Sequence, residues 1–153
     1  MQPEHKRLRQ MAAVMRLRAL QSEKSERAYA QKLKTLQQSQ AELSERQDGY
    51  DQVLGRYQQQ QGQGLVLDPL LHEQRLQGLL SLQGALAEQQ TRVGEARSEF
   101  QHARSALNAA RVDERIAQKA HDCAREALQR LRGQQELIDI FDAQQAGGDR
   151  HGV

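Results

Sequence analysis

The chain has 153 residues, 37% of them hydrophobic and only 3% aromatic, with no Trp. That supply of apolar side chains excludes a thick globular core, while Ala, Glu, Gln, Leu, Lys and Arg, all good helix formers, dominate. Its 22 basic and 20 acidic residues nearly cancel, to a net charge of +2, so there is no general case for nucleic acid as partner.

The first predicted helix starts near Glu4, after Pro3, and runs to about residue 58. Its heptad series from Leu8 reads Leu8, Met15, Ser22, Tyr29, Leu36, Leu43, Tyr50 and Tyr57. A companion series, four residues on, reads Ala12, Ala19, Glu26, Leu33, Gln40, Gln47 and Leu54. One column is good and the other is interrupted by polar residues. Ser22, Ser25 and Glu26 predict looser packing, and Gly49 and Gly55 weaken the helix toward its end. Between residues 1 and 20, Lys6, Arg7, Arg9, Arg16 and Arg18 stand against Glu4 alone.

The apolar period is lost in the stretch from Gln58 to Gly64, with its glutamine run and two glycines. A turn is predicted at about residues 59–68. Asp68-Pro69 is a helix start: Asp68 as N-cap, Pro69 in the first helical position, and Leu67 as a staple.

The second helix, about residues 69–145, organises the rest. Every seventh residue from Leu79 gives Leu79, Leu86, Val93, Phe100, Leu107, Glu114, His121 and Leu128. The series three residues later gives Leu82, Gln89, Ala96, Ala103, Ala110, Ala117, Ala124, Leu131 and Ile138. This is the a/d seam of a coiled coil, bulky on one side and mostly alanine on the other. At about 1.5 Å per residue the helix is roughly 115 Å long, so the expected molecule is elongated. Phe100 and Leu107 are read as anchors of the best-packed layers.

Two long helices joined by a short turn fold back on each other. The expected fold is all-α, a single elongated antiparallel two-helix coiled-coil hairpin. With residue 58 near residue 69, Tyr29 lies near Ser98 and Leu8 near Lys119. Helix 1 then runs out opposite residue ~125. The overhang beyond carries Leu128, Leu131, Leu137, Ile138, Ile140 and Phe141, with Arg125, Arg130 and Arg132 interspersed. Residues 146–153 read as a disordered tail.

A two-helix hairpin offers no concave interior for catalysis, so an enzyme is not expected, and neither is a cofactor. Asp113 and Glu114 point apart on the helix. His121 and Cys123 cannot chelate one ion from one helix face, so no metal site is expected. His121 falls in the a column as a half-buried histidine. No apolar run reaches the ~20 residues of a membrane span, and the single Cys123 fits a reducing compartment. The basic N-terminal stretch lacks aromatic residues for base stacking, which argues against nucleic acid.

The segment Met15-Arg16-Leu17-Arg18-Ala19-Leu20 through Glu26-Arg27-Ala28, in a hairpin whose second helix is the longer, resembles the opening of the FliJ/YscO family, the stalk proteins of type III secretion and flagellar export. The resemblance implies a cytoplasmic protein, monomeric when alone, peripheral to a membrane-embedded secretion machine and not itself inserted in the membrane. It implies a terminal end that enters the pore of a hexameric export ATPase, and a turn end that faces the export gate membrane protein. Some members also bind secretion chaperones. By this resemblance Arg7, Arg9, Arg16, Arg18, Arg130 and Arg132 would face the ATPase, and Tyr50, Leu54, Tyr57, Leu76 and Leu80 the gate. The rival reading is a coiled-coil scaffold or adaptor that homodimerises through the same seam.

Overall fold

The structure is a computed structural model that describes residues 2–63 and 68–151. It holds two helices, α1 (Gln2–Gly62) and α2 (Pro69–His151), with no strand among the described residues. They pack against each other as an antiparallel hairpin.

Both helices outrun their predicted bounds. The glutamine run stays helical to Gly62, so α1 covers part of the predicted turn. Glutamine is a good helix former, and no proline stands in the run to stop it. Residues 146–151, read from the sequence as a disordered tail, belong to α2. Gly147 and Gly148 each weaken a helix by about 1 kcal/mol without blocking its hydrogen bonds. Residues 152–153 and the staple at Leu67 lie outside the described residues.

The start of α2 is built as its residue types demand. The Leu70 backbone N–H donates to the Asp68 carboxylate at 3.1 Å. The His72 N–H donates to the Asp68 carbonyl at 2.9 Å, which closes the first helical turn. Pro69 occupies the position whose missing N–H costs nothing. Asp68→Ala is expected to lower stability by about 1 kcal/mol, read as a shift in the urea unfolding midpoint.

The chain forms two compact units. One joins residues up to Ser25 with those from Leu107 onward; the other is Glu26–Ala106. The boundary in α1 falls in the stretch where its apolar columns are weakest. In the Glu26–Ala106 unit, Leu36, Val93 and Ala96 form a buried cluster, with Leu43 and Phe100 packed on it. The Phe100 ring lies 5.2 Å from the Tyr29 ring in a tilted arrangement, a favourable aromatic geometry. In the other unit the buried apolar residues are Leu107, Ala117 and Leu128. Phe100 and Leu107 therefore belong to different units.

The predicted seam of α2 is the buried one as far as Leu128. Leu86, Val93, Leu107 and Leu128 are buried in the a series, and Gln89, Ala96 and Ala117 in the d series. Along α1 the first column holds, with Leu36 and Ser22 buried. Ser22 is thus closely covered, against the expectation of looser packing. The companion column is different. Ala12, Leu33 and Leu54 are half-buried as expected, but Ala19, Glu26, Gln40 and Gln47 are exposed; three residues after the first column, Met11, Arg18, Ser25, Lys32, Ser39, Val53 and Gln60 are half-buried and Arg46 is exposed. Cover is more regular three residues after the first column than four. Long polar side chains can lie there because the facing d residues are mostly alanine, and their stems cover the seam while their charged heads reach water.

Register shifts accordingly. Tyr29 packs on Phe100, two residues past the expected Ser98. Lys32 pairs with Glu99 at 2.8 Å, and Gln83 donates to the Tyr50 hydroxyl at 2.9 Å. The four extra helical residues at the end of α1 move the turn, and the pairing moves with it. The Lys32 ammonium donates to Glu99 and holds that carboxyl below its ordinary range. Any stabilisation from this pair is present above the ordinary Glu pKa and fades as pH falls through the lowered one. The charged ends of both side chains reach solvent, so the effect is small.

Candidate partner-binding surfaces

In the unit that contains the start of α1 and the end of α2, the seam runs out at Leu128. Leu128 is 4% exposed, but Leu137 is 69% and Phe141 61% exposed, with Ile138 and Ile140 also more than half exposed. The described part of α1 starts at Gln2, and the register puts that residue close to Leu128. Gly133 does not end the helix: α2 passes through it to His151. The overhang is a continuous, amphipathic and uncovered piece of helix.

The six arginines assigned to the terminal end fall in this unit, but not all of them are alike. Arg7, Arg9 and Arg16 are exposed on α1. Arg18 instead reaches across to Asp113 at 3.6 Å and donates to Gln21 at 2.9 Å, so it serves the hairpin. Arg130 lies 3.9 Å from Glu126 one turn earlier, and Arg132 is exposed. Sequence reading missed that the overhang past Gly133 is acidic. Glu136, Asp139, Asp142 and Asp149 lie between residues 136 and 149 with no basic residue among them. A simple charge count would have found it, but the three arginines just before it obscure the change of sign.

In the other unit, three of the five turn-end residues come together. Leu54 and Tyr57 of α1 and Leu76 of α2 line a shallow groove of about 200 Å³ with His72 and Arg75. The Arg75 guanidinium lies 5.2 Å from the centre of the Tyr57 ring, a cation–π contact that fixes one wall. Nothing in the sequence alone marks His72 and Arg75. Their place follows from the pairing register, which sets residues near 57 against residues near 75. Tyr50 is turned toward Gln83, and Leu80 is exposed at 65% away from the groove lining.

His121 is half-buried in the a column, its Nδ1 3.7 Å from the Asp122 carboxylate. Cys123 is free and exposed. Among the described residues no group of three His, Cys, Asp or Glu side chains is placed to hold a metal ion. No helix among them is long and apolar enough to cross a membrane.

Comparison of the chain with family models, curated proteins and solved structures finds no match. The terminal overhang and the groove near the turn are therefore the basis for reading function.

Proposed function

We propose that the protein is a central stalk of a type III secretion export apparatus. Its terminal end enters the ring of a hexameric export ATPase, and its turn end docks on the export gate membrane protein. The observation that carries this reading is the overhang. Leu137, Ile138, Ile140 and Phe141 stand exposed on the last turns of α2. Exposed apolar patches of this kind mark partner sites. On the same unit Arg7, Arg9 and Arg16 offer charge that can guide entry into a ring with acidic lining loops. The groove at Leu54, Tyr57 and Leu76 is the matching candidate for the gate.

The test is ATP turnover of the candidate ring with added protein. The wild-type chain is expected to bind and stimulate. Replacing Arg7, Arg9 and Arg16 with glutamine should slow association and flatten its salt dependence, because charges act mainly on encounter. Ending the chain after Gly133 should speed dissociation, because buried apolar anchors act on the off-rate. A wild-type chain that neither binds nor stimulates any export-type ATPase sinks the reading and leaves the adaptor.

A further inference from the structure

In the unit that takes in α1 up to Ser25, the seam side of α1 holds Leu8, Met11, Met15, Arg18, Ser22 and Ser25, all buried or half-buried. The opposite side of the same turns mixes two kinds of residue. Lys6, Arg9, Arg16 and Lys24 lie there with Leu17 and Leu20, as their three- and four-residue spacing requires. All six are exposed, Leu17 at 54% and Leu20 at 62%. One carboxylate, Glu23, stands at the edge of this face. The other acids nearby are turned to the seam: Glu4 is half-buried, and Asp113 of α2 is taken by Arg18. Four basic residues against Glu23 leave the face strongly positive.

Exposed leucines opposite a seam are not needed to hold the hairpin. Further along α1 the same line is polar, with Gln31, Lys34, Gln38, Glu45 and Asp48, and beyond Leu20 no large apolar side chain of α1 is exposed. Leu17 and Leu20 are therefore confined to the stretch where the basic residues gather. Because the face lies opposite the seam, α2 does not reach it.

The positive charge calls for an anionic partner, and the remaining residues choose among anionic partners. No Phe, Tyr or Trp lies between residues 1 and 25, so unpaired bases have nothing to stack on. The aromatic anchors that fill pockets at protein interfaces are missing for the same reason. A lipid surface asks for neither. It needs cations at the level of the headgroups and a few apolar side chains that reach the acyl boundary. A helix from Lys6 to Lys24 spans ~27 Å and can lie flat on such a surface. Leu17 and Leu20 then point into it, while the long Lys and Arg stems keep their charges among the headgroups.

We propose that the outer face of α1 between Lys6 and Lys24 docks on the surface of an anionic bilayer. The contact does not depend on the stalk reading. If that reading also holds, Arg9 and Arg16 serve either the lipid or the ring, and the two associations compete.

The experiment is co-sedimentation of the full chain, without any ring, with phosphatidylcholine vesicles and with vesicles in which about a third of the lipid is phosphatidylserine. Binding is expected to the anionic vesicles alone at about 0.1 M salt, and at least about tenfold weaker at about 1 M, where the screening length falls to ~3 Å. Arg9→Glu/Arg16→Glu should weaken binding by at least about tenfold. Leu17→Ser/Leu20→Ser should weaken it by about fivefold or more with every charge in place. Lys34→Glu, on the polar part of the line, should change it little. Circular dichroism should show unchanged helicity in all three variants. No binding to anionic vesicles at about 0.1 M salt overturns the proposal, as does equal binding to the neutral ones. Binding that ignores the arginine pair overturns it too. Loss with the arginine pair but not with the leucine pair, together with equal affinity for polyglutamate or single-stranded DNA, would assign the face to an acidic polymer instead.

Discussion

Leu107→Ala is expected to lower the unfolding free energy by about 2–3 kcal/mol, seen as a fall in the urea midpoint with little change in slope. Leu107 is 5% exposed, among the most covered apolar side chains described. Truncation removes the buried isobutyl end of the side chain and leaves a space that the surroundings refill only in part. Phe100→Ala should cost about 2 kcal/mol. Phe100 is only half-buried, but it supports the Leu36, Val93 and Ala96 cluster and holds the Tyr29 ring. Gln47→Ala should cost little, because Gln47 is exposed and spends its amide on Asp51 within its own helix. If Leu107→Ala and Gln47→Ala give the same midpoint, the seam assigned to α2 is wrong.

That seam was legible because its a series is mostly apolar and keeps its period from Leu79 to Leu128. The cap at Asp68 was legible for a local reason: Asp-Pro has one strongly favoured use at a helix start, and the hydrogen bond to Leu70 shows it. The second column of α1 was legible only at Ala12, Leu33 and Leu54. A search for apolar periodicity passes over Arg18, Lys32 and Ser39, whose positions are set by their partners on α2, Asp113, Glu99 and Gln89. The end of α1 was also hidden, since glutamine suits a last helical turn and a polar loop about equally. That one ambiguity carried over into the register, because the pairing of two helices is counted from the turn. The apolar part of the terminal surface was readable from Leu137, Ile138, Ile140 and Phe141. Its acidic part is equally present in the sequence, but Arg125, Arg130 and Arg132 give the stretch a basic look until the residues past Gly133 are counted separately. The groove near the turn needed the register first, so Arg75 and His72 emerged only with both helices placed.

Gln89→Glu should be more damaging than either truncation. Gln89 sits in the d series and is 0% exposed, the one large side chain fully buried among the described residues. Its amide nitrogen donates to the Ser39 carbonyl at 2.9 Å, the Ser39 hydroxyl at 3.2 Å and the Glu42 carboxylate at 3.3 Å. Its side-chain oxygen is buried with no hydrogen-bond partner. Glutamate replaces the donating nitrogen with an acceptor and turns it toward a carbonyl and a second carboxylate. Burial and the like charge both disfavour the ionised form, so the folded-state pKa rises above the ordinary glutamate value. Below the unfolded pKa the acid is protonated in both states, can donate to Ser39, and the penalty is small. As pH rises the unfolded chain gives up its proton first, and stability falls until the folded pKa is passed. A buried charge left without a partner costs about 3–5 kcal/mol, so a loss of at least about 3 kcal/mol at neutral pH is expected. Gln89→Leu gives the contrast. It removes the unpaired oxygen along with the donor, strands no buried partner, and should leave stability within about 1 kcal/mol of wild type. What leucine removes is the bond that ties one position of α2 to Ser39. A polar residue at a seam position specifies register, so the leucine variant should populate shifted pairings. Urea unfolding of both variants at several pH values, with amide exchange across α1 as a probe of register, separates the two effects. A glutamate variant whose midpoint is flat from about pH 4 to about pH 8 would show that residue 89 is not buried in the folded hairpin.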